Sequence, residues 1–229
     1  MSSAAGAGER FGVGPLSRVA AFVYTMLAVE SLVLLTAGPG LVALVLLDRD
    51  TSNLPLVAAC ALPAGPALSA ALYALDRRRL DLTDLRPAAA FWRGYRLNAK
   101  DALVTWAGWL VWITVLGMSL ANLSAAGLPR WWAVPIGLVA VAATLWGLNA
   151  LVITSLFAFR ARDVARLAAY FLARTPGATV GNLCLLIVAI GVLLISSEAV
   201  LALLASLFLL ALLRNCRPMI ALVRKEFTA

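Results

Sequence analysis

Five stretches of this chain run for roughly 20 residues or more almost without a charged side chain, and each is long enough to cross the hydrocarbon of a bilayer. They are Val19 to Leu47, Leu54 to Leu75, Ala102 to Leu123, Trp131 to Phe159 and Thr179 to Leu213, with Glu30 interrupting the first and Glu198 the last. One soluble core could not bury so much apolar surface: 63% of the 229 residues are hydrophobic, 13% are charged, and the mean hydropathy is +0.94. Ser196-Ser197-Glu198 divides the last stretch into two crossings of about 17 residues each, the lower limit for a span.

The expected fold is therefore all-α, a polytopic transmembrane helix bundle of about six spans at 19–47, 54–75, 102–123, 131–159, 179–195 and 197–213. Tails at 1–18 and 214–229 flank it. The first span is too long for a straight crossing and contains Gly38-Pro39-Gly40, where a kink is expected because proline removes a helical donor and glycine adds freedom. The first 18 residues have no apolar core of the kind a cleavable signal needs.

Positive charge gives the orientation. Arg77, Arg78, Arg79, Arg86, Arg93, Arg96 and Lys100 fall between spans two and three, and Arg160, Arg162, Arg166 and Arg174 between spans four and five. With those near the two termini they make 17 of the 19 basic residues on one side, leaving Arg49 and Arg130 on the other. The positive-inside rule then makes both termini cytoplasmic in a multi-pass protein of the cell membrane. The net charge of +8 is explained by membrane boundaries and anionic headgroups, so nucleic acid is not an expected partner.

Both basic loops are long enough for an amphipathic helix lying in the interface. In the first, Phe91, Trp92, Tyr95 and Ala99 share one arc and Arg93, Arg96 and Lys100 the other. The second sets Val164, Leu167, Ala168 and Phe171 against Arg162 and Arg166, then reaches Pro176-Gly177. Their likeness hints at an internal repeat of about 80 residues. These two helices are the expected sites of lipid or partner contact.

Ala61-Leu62-Pro63-Ala64-Gly65-Pro66-Ala67-Leu68-Ser69-Ala70-Ala71-Leu72-Tyr73 resembles the Leu-Pro, Gly, small-residue, Leu-Tyr signature of the YesL family of bacterial membrane proteins. Phe91-Trp92-Arg93-Gly94-Tyr95-Arg96-Leu97-Asn98 resembles that family's aromatic-basic segment, and the similarity runs on to Arg217-Pro218. Asp48-Arg49-Asp50-Thr51-Ser52-Asn53 departs from it, standing where many relatives have a tighter connection. The family is classed as a domain of unknown function. Its members typically accompany carbohydrate ABC-transport systems, so the resemblance implies an accessory or partner subunit of a sugar importer.

Residue types argue against catalysis. The chain has no His, so His-dependent triads and His-ligated metal sites are excluded; Cys60, Cys184 and Cys216 form no C-x-x-C pair, and there is no G-x-x-x-x-G-K-S/T loop. No cofactor is expected. A membrane aspartyl protease needs two deep acids, whereas every Asp lies in a loop or at a span end.

Glu30 is the one deep acid, about 17 Å into the first span, and should face the bundle either protonated or partnered. Ser31, Thr36, Asn149, Thr154 and Asn182 are the candidate partners, and Glu30, Asn149 and Asn182 make a candidate intramembrane polar site. Trp106, Trp109 and Trp112 form a stripe that suits either sugar stacking or helix packing. Gly147, Gly181 and Gly191 would let helices approach closely, but these small-residue spacings identify no homodimer face. Besides the accessory subunit, a self-sufficient small-solute or proton-coupled carrier or channel stays open, as does a membrane enzyme acting on a lipid-linked or glycosidic substrate.

Overall fold

The computed structural model describes residues 15–48, 50–77 and 86–227. Arg49, Arg78, Arg79, Asp81, Asp84 and nearly all of the tail at 1–18 lie outside the described residues. Those described are helical, with no strand among them. In chain order the helices are α1 (Pro15–Val45), α2 (Leu54–Cys60), α3 (Ala64–Asp76), α4 (Pro87–Ala121), α5 (Ala133–Leu156), α6 (Ala161–Arg174), α7 (Pro176–Ile195), α8 (Glu198–Leu203), α9 (Ala205–Asn215) and α10 (Arg217–Phe227). Short 3-10 turns, Thr51–Asn53 and Arg130–Trp132, lead into α2 and α5.

Four helices are long and apolar enough to cross a membrane: α1, α4, α5 together with its leading turn, and α7. Two bent pairs, α2 with α3 and α9 with α10, raise the number to as many as six. Their large apolar side chains face outward, as in Trp112 (55% exposed) on α4 and Ile195 (88% exposed) on α7. An apolar belt of this size on the outside of a folded chain is the surface of a membrane-embedded protein.

The helix limits differ from the sequence expectation wherever proline or an apolar run hid a junction. Span two is broken, because Pro63 and Pro66 supply no backbone N–H; α2 and α3 meet at 47° across Ala61–Pro63. Span six is broken as well, at Leu204 between α8 and α9. Pro39, by contrast, sits inside an α1 that runs unbroken to Val45. The neighbouring Gly40 is where α1 meets the Cys60 carbonyl at the end of α2, with no room for a Cβ.

The stretch 214–229 holds α10, which buries Met219, Ile220 and Val223 in the main core. A 54° bend at Cys216 separates its direction from that of α9. Arg224 reaches Asp76 at the end of α3, 3.2 Å away, which ties α10 to that helix end.

The first amphipathic segment is not a separate interfacial helix. It is the first half of α4, a single helix of 35 residues. At 1.5 Å per residue such a helix is about 52 Å long, well over the ~30 Å of hydrocarbon. Its register is set by Gly94, where a Cβ would stand 2.8 Å from the Tyr73 ring, and by Asn98, whose amide donates to the Ser155 carbonyl at 2.8 Å. The core sits where α1, α3, α4, α5, α6, α9 and α10 converge, around Leu72, Phe91, Ile153, Phe171 and Leu212.

Candidate functional site

Glu30 is the middle residue of α1 and is 7% exposed. None of the five partners suggested by sequence engages it. Ser31 and Thr36 donate their hydroxyls to Leu27 and Leu32 on their own helix, at 2.8 and 2.7 Å. The partner is the backbone of a different helix: the Ser206 N–H donates to Glu30 Oε2 at 2.7 Å. Ser206 is the second residue of α9, where helix geometry leaves N–H groups without an internal acceptor. Glu30 thus supplies from α1 the capping oxygen that α9 lacks, since its own N-cap residue, Leu204, has none. The other carboxyl oxygen, Oε1, is buried with no hydrogen-bond partner among the described residues.

Asn149 and Asn182 do come together, but with Cys216 and not with Glu30. The Asn182 amide lies 3.4 Å from both Asn149 Oδ1 and Cys216 Sγ, tying α5 and α7 to the end of α9. All three residues are buried. The candidate polar site is therefore two sites: a capping carboxylate between α1 and α9, and an amide pair between α5 and α7.

The tryptophan stripe divides in the same way. Trp106 Nε1 donates to the Ala61 carbonyl at 2.9 Å, closing the break between α2 and α3 that Pro63 creates. Its ring lies against Gly65, where a Cβ would stand 2.5 Å from Cγ. Trp109 repeats the device on α5, donating to Ala143 at 3.1 Å and covering Gly147. The two rings lie 4.6 Å apart, so α4 is braced to α3 on one side and α5 on the other. Trp112 faces outward. Trp146, which the stripe did not include, donates to Ala165 of α6 at 3.0 Å. Indole N–H groups in an apolar interior need acceptors, and carbonyls of neighbouring helices are the acceptors at hand.

On the first half of α4, Phe91 is wholly buried and belongs to the core, which corrects its expected place at the lipid or partner surface. The cause is the fusion with the rest of α4, which turns this side of the segment onto the bundle. Tyr95 is partly buried and packs against Phe91, with ring centroids 6.4 Å apart. Trp92, Arg93, Arg96 and Lys100 stay exposed, and Ala89, Trp92, Arg93, Arg96 and Leu97 line an open groove of about 650 Å³. α6 buries Val164, Ala168 and Phe171 and exposes Arg162 and Arg166.

Ser206, Asn98 and Trp146 were missed by sequence reasoning. Ser206 carried no signal because it contributes a backbone group. The indole of Trp146 did carry one, as a buried donor that had to find an acceptor.

Compared with known proteins, the chain matches no family model, no curated protein and no solved structure.

Proposed function

We propose that this chain is a non-catalytic integral membrane protein with both termini in the cytoplasm, acting as a partner subunit of a carbohydrate ABC-transport system. The observation that carries the partner role is the groove on α4, where Trp92 lies exposed between Arg93, Arg96 and Leu97. Tryptophan and arginine are the residue types that dominate protein interfaces. Here they stand on a helix already fixed by Gly94 against Tyr73 and by Asn98 against Ser155, so docking would cost little ordering. The matching surface is acidic and cytoplasmic, on an ATPase or permease. That the cargo is carbohydrate rests on the resemblance to the YesL family.

In a pull-down from native membranes, the tagged chain should bring down transporter subunits. Arg93→Ala with Arg96→Ala should abolish that co-purification while the protein still inserts, and added salt should weaken the wild-type complex in the same way. If the correctly inserted double variant co-purified unchanged, the groove would be a lipid anchor, with its charges held to anionic lipid at ~1 kcal/mol each.

Six crossings complete this reading and place Glu198 outside. From Ser206, level with the middle of α1, nine residues lead back to Ser197 and reach about 13 Å if straight, against a half-thickness of about 15 Å. In a chain whose three native cysteines are replaced, cysteines placed at Ser197 and Ser124 should both react with an impermeant thiol reagent on intact cells. Protection at Ser197 with labelling at Ser124 would mean that the α8–α9 arm turns back inside the bilayer.

A second reading, a proton-coupled carrier, is favoured by Glu30 Oε1, a buried carboxyl oxygen left without a partner beside a broken helix. Purified protein in liposomes that moves neither protons nor sugars would eliminate it.

A further inference from the structure

The end of α3, the end of α9 and the length of α10 enclose a groove of about 630 Å³ that neither reading above uses. Pro218, second in α10, withholds the N–H that would continue α9, and the resulting 54° bend sets Arg214 and Arg217 on either side of the turn. Both line the groove together with Lys225 and the Arg224–Asp76 ion pair. Arg214, Arg217 and Lys225 are exposed, and no carboxylate among the described residues pairs with them. Beneath this rim the floor is apolar, made by Leu210, Leu213 and Ile220. Along α9 the apolar surface continues to Leu207, which is 49% exposed.

We propose that this groove seats the phosphate of an anionic phospholipid headgroup. Two guanidinium groups and an ammonium at one rim match a phosphate in charge and in hydrogen-bond geometry. A soluble anion would have no use for the leucine floor, whereas an acyl chain leaving the groove meets apolar side chains toward Leu207. Asp76, the one carboxylate of the groove, is engaged by Arg224 and leaves the other three cations to the ligand. Basic pockets between helix ends on the cytoplasmic side are a recurrent form of lipid recognition.

The test uses the full-length protein purified in a neutral detergent. It is titrated separately with short-chain phosphatidylglycerol, phosphatidylcholine, inorganic phosphate and a poly-glutamate peptide while the unfolding temperature is followed. Phosphatidylglycerol alone should raise it, and saturably. Arg214→Gln with Arg217→Gln and Lys225→Gln should lower the apparent affinity about a hundredfold, at roughly fivefold for each charge. Ala221→Trp, which fills the groove from an exposed position and leaves every charge in place, should lower it comparably. If the triple variant fails to unfold at the wild-type temperature without lipid, Arg217→Gln alone takes its place with an expected loss of about fivefold. An equal response to phosphatidylcholine would overturn the proposal. So would saturation by inorganic phosphate in the same concentration range, tighter binding of the peptide, or an Ala221→Trp variant that binds like wild type.

Discussion

Gly147→Ala should destabilise the protein by about 1–3 kcal/mol, the cost of overpacking a closed site, although alanine is the better helix former. A Cβ at position 147 would stand 2.5 Å from both Cδ1 and Nε1 of Trp109. The indole cannot step aside cheaply, because Nε1 is held by the Ala143 carbonyl one turn away on the same helix. Gly137 supplies the comparison: it lies on α5 too, but nothing is within 4 Å of the Cβ it lacks. Gly137→Ala should be neutral or stabilising by up to about 1 kcal/mol, through helix propensity alone. Thermal or denaturant unfolding in detergent would separate the two, and equal effects would mean that Trp109 does not brace α5 at Gly147. In a Trp109→Leu background the penalty at 147 should largely vanish, since the clashing ring is gone.

The same brace marks where sequence reading succeeds and where it stops. Apolar runs with at most one charge announced α1, α4, α5 and α7 because lipid disfavours charged side chains whatever the neighbours are. Ends and breaks followed other rules. Arg93, Arg96 and Lys100 belong to an amphipathic segment that the sequence sets apart from span three, yet charge ends a crossing without ending a helix, and α4 carries on through them. Pro63 and Pro66 lie inside the run read as span two, and their missing donors divide it into α2 and α3. Leu204 gave no signal, because an apolar residue between apolar residues reads as more helix.

Side-chain direction was the least legible property. Period 3.6 places Phe91, Trp92, Tyr95 and Ala99 within one arc, but it could not say where along that arc the bundle ends, and Phe91 is buried while Trp92 stays exposed. Tyr73 and Gly94, which decide it, are 21 positions apart and meet only when α3 and α4 pack. Asn149 and Asn182 were recognisable as polar groups needing partners, and each proved to be the other's. For Glu30 the demand for a partner was legible and the answer was not, because the donor is a backbone N–H exposed by an unforeseen break.

That contact leads to the second large effect, in which Glu30→Leu and Glu30→Gln should part company. Leucine removes the acceptor and leaves the Ser206 N–H buried and unpaired at the start of α9, for a loss of about 1–3 kcal/mol. Glutamine keeps a carbonyl oxygen at the same reach, so the cap survives and the stability should stay within about 1 kcal/mol of wild type. The shape change is small in both, which isolates the hydrogen bond as the variable. Unfolding in detergent measures the difference, and hydrogen exchange at the first turn of α9 locates it, with faster exchange expected for leucine alone. The Gln variant also separates the structural role from a carrier role. If Glu30 only caps α9, the Gln variant should behave as wild type in every assay of partner binding and flux. If it carries a proton, the folded Gln variant should lose proton movement that the wild type shows, because an amide can accept the Ser206 hydrogen bond but cannot take up and release a proton. Leu and Gln variants of equal stability and equal exchange would mean that the carboxylate does not hold the helix start, and the broken arm would then owe its geometry to packing alone.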